Sequence, residues 1–344
     1  MILPVFKRSD FELCSVKTPH GYPQSQTHAG VAVYDGKFYL TCSPYPAKKC
    51  SKFKSYWMVF LQKVSHGRIG KTIDAEKYEN PMLYIGEVQG VCPPVRFESV
   101  QPFPLMKTPT PVFGQPAYNS DPDIFIDDGR VYILNRTYYR KPSICGVAGK
   151  EVLISLINGN IDKAGFHFTS IEDLKRSSKS LISPCLIKYK GEFLFSFLET
   201  NSAIDGRTFD GLYIQRAKTI AELKDNDIYS EIEVLSNGLL PWHMSLFAYN
   251  GQLYSIIACV RKGDTSHIWQ MLGEFNDNLT QLKIYPRPLT DYNSYRGAAA
   301  VVEDDFILYS ATLNEKVRGS KSIDGRDIIV AKVSMEQLFK TISL

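Results

Sequence analysis

The chain has 344 residues, of which 44% are hydrophobic, so it is long enough to bury a large core. Its 40 basic and 36 acidic residues give a formal net charge of +4 without the basic face of a nucleic-acid binder, and we expect no nucleic-acid partner. No apolar run approaches the roughly 20 residues of a membrane-spanning helix, so we also expect no membrane partner.

Aromatic residues make up 12% of the chain, and 23 glycines and 19 prolines interrupt it, which favours strands and turns over long helices. The 7 cysteines are odd in number, spaced irregularly and without a Cys-x-x-Cys pair, so they fit a reducing compartment and do not indicate zinc. No signal peptide is visible after Met1. We therefore expect a cytoplasmic protein, or a periplasmic or secreted one if a leader peptide has been removed.

A hairpin that recurs five times is the main signal along the chain. Each copy has an apolar strand, a tight turn and a second strand rich in aromatic residues, and the copies begin at Thr27, Ser120, Ile182, Trp242 and Tyr295. Four turns contain glycine, as type I′ hairpin turns prefer, namely Asp35-Gly36, Asp128-Gly129, Lys190-Gly191 and Asn250-Gly251. The fifth turn, Glu303-Asp304, departs from this chemistry, so its hairpin is expected to use another turn.

The hairpins recur about every 50 to 60 residues, except that the first unit carries an insertion within residues 46–110. A unit of this length with four short strands is typical of a propeller blade. Third and fourth strands are expected at Tyr56–Val64, Glu151–Leu156, Gly211–Ala217, His267–Phe275 and Asp327–Val333, and a helix only at Met335–Thr341. The sequence thus predicts an all-β fold, one five-bladed β-propeller domain over residues 1–344 with four-stranded antiparallel blades around a central channel. Two stacked β-sandwich domains are the alternative.

Equivalent positions of the five hairpins should meet at one mouth of the channel, because the innermost strands of all blades run in the same direction. Seven residues before each turn stand His28, Asp121, Ser183, His243 and Arg296. The second strands return to the same face, which adds Tyr45, Arg136, Tyr138 and Glu199 to the rim, beside Trp242 and Tyr295. Ionisable groups and aromatic rings that converge in this way predict a binding site, and the pairing of rings with hydrogen-bonding groups suits a sugar.

The string SDPDIFIDDGRVYIL, residues 120–134, resembles the second-blade signature of the five-bladed glycoside hydrolases of family 43, which include arabinanases and xylosidases. The resemblance implies glycoside hydrolysis with inversion, which needs two carboxyl groups roughly 6.5 to 9.5 Å apart. In that family a first-blade Asp is the general base, a second-blade Asp tunes pKa and orientation, and a third-blade Glu is the acid.

Only the second of these positions is kept here, as Asp121. His28 stands where the first-blade Asp is expected, and Ser183 stands where the third-blade Glu is expected. The resemblance further implies that His243 and Arg296 contact the sugar. Glu199 is a possible replacement acid, and His28 is another because imidazole titrates near neutral pH.

We therefore expect an atypical glycoside hydrolase that acts on a glycan end or a short oligosaccharide. Its candidate catalytic residues are Asp121, Glu199 and His28, and its candidate substrate-binding residues are His243, Arg296, Trp242, Ser183, Tyr295, Arg136 and Tyr45. The alternatives are a non-catalytic glycan-binding propeller and a protein-interaction propeller whose mouth is covered by the insertion. The sequence predicts no cofactor and no metal, and it leaves the oligomeric state open.

Overall fold

A computed structural model describes residues 3–45, 64, 78–87, 93–100, 104–109, 117–141, 149–203, 206–261, 264–322 and 325–343. The described chain begins with a 3₁₀ helix, Arg8–Asp10, and the short strand β1, Glu12–Leu13. Blade 1 follows and contains β2 (Ser15–Lys17), β3 (Gln26–Tyr34), β4 (Lys37–Pro44), β5 (Met82–Glu87) and β6 (Arg96–Ser99). Its strand order is β2-β6-β5-β4-β3, so β3 is the innermost strand and β2 lies parallel to β6 at the outer edge.

Blades 2, 3 and 4 each have four strands in order from the inside outward. Blade 2 contains β7 (Ala117–Asp127), β8 (Arg130–Lys141), β9 (Gly149–Asp162) and β10 (Gly165–Ser177). Blade 3 contains β11 (Ser180–Tyr189), β12 (Glu192–Ala203), β13 (Gly206–Ala217), helix α1 (Ile220–Asp225) and β14 (Ser230–Leu235). Blade 4 contains β15 (Leu239–Tyr249), β16 (Gln252–Arg261), β17 (Asp264–Phe275) and β18 (Gln281–Pro288). The outer strands β14 and β18 pair in parallel, which joins blades 3 and 4 into one hydrogen-bonded sheet.

Blade 5 is closed by the other end of the chain. Its own strands are β19 (Ser294–Val302), β20 (Asp305–Thr312) and β21 (Ile328–Ser334), followed by helix α2 (Met335–Ile342). The fourth, outermost strand is β1, which pairs antiparallel with β21 through Glu12 and Val330. The first and last strands of the chain therefore hold the ring together within one blade.

The blades pack against one another in a closed ring. The inner strands contact each other in the cycle β3, β7, β11, β15, β19 and again β3. An apolar cluster fills each of the five junctions between neighbouring blades, as Leu194 with Ile257 does between blades 3 and 4, and Ala29 with Ile307 between blades 1 and 5. Each blade buries both faces of its sheet, as a propeller requires. The all-β propeller prediction is confirmed.

The hairpin turns have the backbone that their sequences predict. Both turn residues have positive φ at Asp35 and Gly36 (49° and 68°), and the same holds for the other three glycine-containing turns. In the fifth turn only Glu303 has positive φ, 55°, so this hairpin uses a different turn as expected.

Two local predictions need correction. The third strand of blade 1 was expected at Tyr56–Val64, of which residues 56–63 lie outside the described part, but the strand that pairs with β4 is β5, Met82–Glu87. The expected insertion thus contains the third and fourth strands of blade 1. The helix α1, Ile220–Asp225, was not predicted, although Thr219 caps it by accepting a hydrogen bond from the Glu222 backbone N–H.

Candidate functional site

The inner strands leave regular pairing at the positions that the hairpin alignment singled out. Every inner strand has a register shift there, for example between Ser120 and Asp123 in β7. At the shifts of blades 1, 2 and 3 the central residue has a left-handed backbone, with φ of 58° at His28, 54° at Asp121 and 49° at Ser183. A bulge re-aims the side chain, and non-glycine residues with this backbone cluster at functional sites. The bulges direct these three side chains to the propeller axis.

Asp121 is at the centre of the resulting cluster and is fully buried. Its Oδ2 atom accepts hydrogen bonds from the Ser183 backbone N–H (3.0 Å) and from Arg136 Nη1 (3.3 Å). Its Oδ1 atom lies 3.0 Å from His28 Nδ1 and 3.7 Å from His243 Nδ1. One carboxylate oxygen is therefore held by hydrogen-bond donors, while the other faces two imidazoles.

His28 is fixed from its other side by a residue that the sequence analysis did not select. Its Nε2 atom lies 2.7 Å from Glu79 Oε1, and both side chains are buried. Asn80 holds the Glu79 segment against blade 2, because its Oδ1 accepts a hydrogen bond from Asn119 Nδ2 at 2.8 Å. The middle of the expected insertion thus reaches the mouth and contributes a second buried carboxylate.

His243 completes the cluster from blade 4. Its Nδ1 atom lies 2.7 Å from Ser183 Oγ, which fixes the orientation of the ring. The ring of Tyr295 stands beside both imidazoles, with centroids 4.6 Å from His243 and 4.8 Å from His28. Trp242 lies edge-on to His243 at 5.7 Å. Aromatic rings therefore form one wall of the cluster.

Burial and charge shift the pKa values of the three central groups in different directions. Burial alone would raise the pKa of the Asp121 carboxyl, but the charges of His28 and His243, with Arg136, hold it well below its usual range. Burial alone would lower the pKa of His28, but Asp121 and then Glu79 raise it above the ordinary value. Burial is the main reason that the pKa of His243 lies well below the ordinary value, although Asp121 opposes this shift. The same surroundings therefore shift the pKa values of the two imidazoles in opposite directions, while the neighbouring positive charges stabilise the negative charge of Asp121.

These three residues also have the arrangement of a metal-binding site. One ligand atom from each of His28, Asp121 and His243 can be chosen so that all lie within 4.8 Å of one another. Ligand bonds of roughly 2.0 to 2.2 Å place neighbouring ligands about 3 to 3.5 Å apart, which matches the 3.0 Å between His28 Nδ1 and Asp121 Oδ1. His243 Nδ1 is engaged with Ser183 Oγ, which leaves Nε2 as the ligand atom of His243. Within the described residues, Asp121 Oδ1, His28 Nδ1 and His243 Nε2 are buried atoms not aligned with any hydrogen-bond partner. The donor set fits a divalent transition metal.

Arg296 lies deeper than the sequence analysis placed it. Its guanidinium is fully buried, donates to the Pro122 carbonyl oxygen at 3.0 Å and lies 3.2 Å from Asp123 Oδ1. Its Nη2 atom is also 3.7 Å from Cys185 Sγ. Arg296 therefore ties blade 5 to blades 2 and 3 directly beneath Asp121, and these contacts make it a support of the bulge.

Glu199 is held away from the cluster by another partner. Its carboxylate pairs with the exposed Lys179 at 2.9 Å, and its neighbours across the sheet are Leu181 and Gly211. The contacts that position Asp121 involve none of these residues. The structure brings His28, Asp121, Ser183 and His243 together and leaves Glu199 outside this group.

The remaining predicted residues line the rim. Arg136 donates to Ser120 Oγ at 3.1 Å, and its guanidinium lies 5.9 Å from the ring centroid of Tyr138. Tyr45 stacks with Arg326 at 3.8 Å, and Arg326 is also 5.3 Å from the Tyr295 ring. Arg326 was missed because it precedes the third strand of blade 5, where the hairpin alignment gives no signal.

Glu79 was missed for a similar reason. It stands 51 residues after His28, in the stretch set aside as an insertion, and no repeat or motif marks it. The sequence around it shows only an acidic residue next to Asn80 and shortly before the apolar strand β5, and the structure shows that this residue is buried.

Comparison with known proteins establishes the fold. No protein-family model and no curated protein matches the sequence. Among solved structures, an N-acetylgalactosamine deacetylase from F. plautii, in complex with blood group B trisaccharide, has 13% identity over 97% of both chains and a TM-score of 0.66. A GH43_1 enzyme from Xanthomonas citri, complexed with xylose, has 12% identity over 90% of this chain and 88% of its own, with a TM-score of 0.55. An α-L-arabinofuranosidase from Lactobacillus brevis has 11% identity over 92% of both chains and a TM-score of 0.54.

The protein thus has the β-propeller fold that glycoside hydrolases of family 43 share with these relatives, and the predicted resemblance is confirmed at the level of the fold. No helix in the described ranges has the length and apolar character needed to cross a membrane.

Proposed function

We propose that this protein is a metal-dependent hydrolase that removes an acyl group from a sugar bound at the central mouth, with His28, Asp121 and His243 as the metal ligands. The observation that carries the proposal is the convergence of these three buried side chains, whose ligand atoms lie within 4.8 Å of one another. Two imidazoles and a carboxylate with a position left for water or substrate are the ligand set of catalytic zinc sites.

The residues around the ligands support this assignment. Metal-binding histidines commonly donate their second ring N–H to a carboxylate, and Glu79 stands in that relation to His28. Arg136 and the Ser183 backbone N–H hold Asp121 Oδ2, so that Oδ1 stays directed at the two imidazoles. These contacts fix the ligands before substrate binds, which is the preorganisation that a catalytic site needs.

A bound divalent metal would polarise a carbonyl oxygen and lower the pKa of a coordinated water. The chain itself supplies the walls and the orientation. Tyr295 and Trp242 present apolar faces beside the imidazoles, and Arg136 adds hydrogen-bond donors at the rim. This combination suits a pyranose ring with hydroxyl groups at its edge.

The choice of acyl transfer over glycosidic cleavage rests on two points. The structurally similar protein from F. plautii, which matches over 97% of both chains, is an N-acetylgalactosamine deacetylase. Inverting glycosidic cleavage needs a general acid and a general base on opposite sides of the sugar, whereas Asp121 is fixed by Arg136, Ser183 and His28. We therefore infer an N-acetylated amino sugar as the substrate.

Glycoside hydrolysis is the second candidate, and Glu79 is the observation that favours it. Glu79 and Asp121 flank the same imidazole, so the mouth contains two carboxylates joined through His28. In that case the pair Asp121 and Glu79 would replace the predicted pair of Asp121 and Glu199.

One assay separates the two reactions. The protein is incubated with glycosides of N-acetylgalactosamine, N-acetylglucosamine, xylose and arabinofuranose, and the released acetate and free sugar are measured separately. We expect acetate release that a chelator stops and that added Zn²⁺, Mn²⁺ or Co²⁺ restores. Release of free sugar without acetate, at a rate unchanged by the chelator, would overturn the proposal in favour of glycoside hydrolysis.

Metal binding has its own measurable consequence. At a free metal concentration 100 times its dissociation constant, binding stabilises the folded protein by about 2.7 kcal/mol. For 344 residues this raises Tm by about 4 °C. Calorimetry with and without chelator checks this expectation, and equal melting temperatures in the two conditions would contradict it.

A further inference from the structure

A groove on blade 4 opens on the same face as the central mouth. It has a volume of about 640 Å³ and is lined by Asn237, Leu239, Arg261, Trp269, Tyr285 and Pro286, among others. Leu239 begins the inner strand β15, Arg261 ends β16, and Pro286 lies near the end of β18. Because neighbouring strands of the blade are antiparallel, these three ends lie on the face where His243 stands.

The lining combines an aromatic ring with hydrogen-bonding groups. Trp269 is partly exposed. The His267 ring packs against it with centroids 4.0 Å apart, and the guanidinium of the exposed Arg261 lies over the indole at 5.7 Å from its ring centroid. Tyr285 contributes a second, partly exposed ring from β18. Asn237 is exposed at the turn that enters β15 and adds a polar side chain to the lining. Aromatic rings together with hydrogen-bond donors match the apolar face and the hydroxyl groups of a sugar.

Strand β15 links the groove to the mouth, because it contributes a residue to each. Leu239 is four residues before His243 on the same strand, and the two strands that carry Leu239 and Trp269 both flank β16. Trp242 and Trp269 pack against the same apolar cluster. The groove and the mouth therefore share strand β15 and the apolar cluster beneath it, and Trp242 and Trp269 are partly exposed above that cluster.

The charge of the groove favours a neutral ligand. Asp264 is the register partner of Arg261 on the neighbouring strand, and the two side chains interact electrostatically, so a negative charge stands near the guanidinium. The volume is within the range of roughly 300 to 1,000 Å³ found for small-molecule sites, and it accommodates one or two sugar rings.

We propose that this groove is a distal sugar-binding subsite, which holds neutral residues of the same oligosaccharide whose end is processed at the mouth. The inference rests on the proposed action at the mouth on a glycan, but it concerns different residues and is tested by binding. Trp269 provides the platform on which a sugar ring stacks, and Arg261 and Asn237 donate hydrogen bonds to its hydroxyl groups.

Trp269→Ala removes the platform, and Trp269→Phe keeps an aromatic face as the conservative variant. The matched control is Phe168→Ala, which removes an exposed aromatic ring from blade 2, outside the groove. Blood group B trisaccharide, xylotriose and N-acetylgalactosamine are titrated into each protein by calorimetry.

We expect Trp269→Ala to weaken binding of at least one trisaccharide about tenfold, which corresponds to about 1.4 kcal/mol. Trp269→Phe should recover most of the affinity. The affinity for N-acetylgalactosamine should stay unchanged in both Trp269 variants, and Phe168→Ala should leave all affinities unchanged. Unchanged trisaccharide binding in Trp269→Ala would overturn the subsite, and so would an equal loss for the monosaccharide or no trisaccharide binding by the unmodified protein.

The proposed function fails in a different way. If a trisaccharide binds and depends on Trp269, but no acetate is released from any N-acetylated glycoside, the distal subsite stands and the deacylation proposal is wrong. If acetate is released but trisaccharide affinity is unchanged by Trp269→Ala, the deacylation proposal stands and the distal subsite is wrong.

Discussion

Asp121→Asn is the substitution that tests the central cluster most directly. The hydrogen bonds from Ser183 N–H and Arg136 both go to Oδ2, so the oxygen of the asparagine is kept at that position. Its amide nitrogen then takes the place of Oδ1, which faces His28 at 3.0 Å and His243 at 3.7 Å. An amide nitrogen donates and does not ligate a metal, so metal binding should be lost together with the negative charge.

The magnitudes follow from these contacts. Loss of a charged hydrogen-bond acceptor beside Arg136 should lower the free energy of unfolding by about 1 to 3 kcal/mol. For a chain of this length, this corresponds to a fall of about 1 to 4 °C in Tm. The left-handed backbone at Asp121, with φ of 54°, adds no further cost because asparagine tolerates it. Acetate release should fall by more than about 100-fold, because losing a residue that only orients a metal ligand already costs about 10- to 100-fold.

The matched control is Asp128→Asn, which makes the same change in the same blade. Asp128 is exposed in the β7–β8 turn and also has positive φ, 48°, so backbone effects are alike. Metal affinity is measured by calorimetry, and kcat and KM from acetate release, on both proteins. Full activity with unchanged metal affinity in Asp121→Asn would refute the assignment of Asp121 as a ligand.

Two further substitutions test the residues around the ligands. Glu79→Gln keeps a hydrogen bond to His28 but removes the charge, so metal affinity should fall about 10- to 100-fold with little change in Tm. Unchanged metal affinity would show that Glu79 does not position the histidine. Arg296→Met leaves the Asp123 carboxylate buried without its partner, so the free energy of unfolding should fall by about 3 to 5 kcal/mol. Adding Asp123→Asn should restore part of this stability, as measured by thermal unfolding. A rise in KM without loss of stability in Arg296→Met would instead support the predicted sugar contact.

The fold was predictable from sequence because its signals are local. A turn such as Asp35-Gly36 or Asn250-Gly251 specifies a hairpin through its own backbone preference, whatever surrounds it. The recurrence of these hairpins at blade length then indicates a propeller. Counting back from the turns located His28, Asp121 and His243, because strands of equal length place equivalent residues at the same height on the axis.

The contacts that give the site its chemistry depend on tertiary structure. Glu79 reaches His28 across 51 residues, and β1 completes blade 5 from the other end of the chain, with no local pattern to indicate either. Arg296 matches the other ring positions in the alignment, yet its long side chain turns inward to Asp123 because a buried carboxylate and carbonyl there need a donor. The sequence by itself determined that His28, Asp121, Ser183 and His243 occupy equivalent positions in their hairpins. Only the packing of five blades decided which of them face one another, since that depends on distances between strands that are remote in the chain.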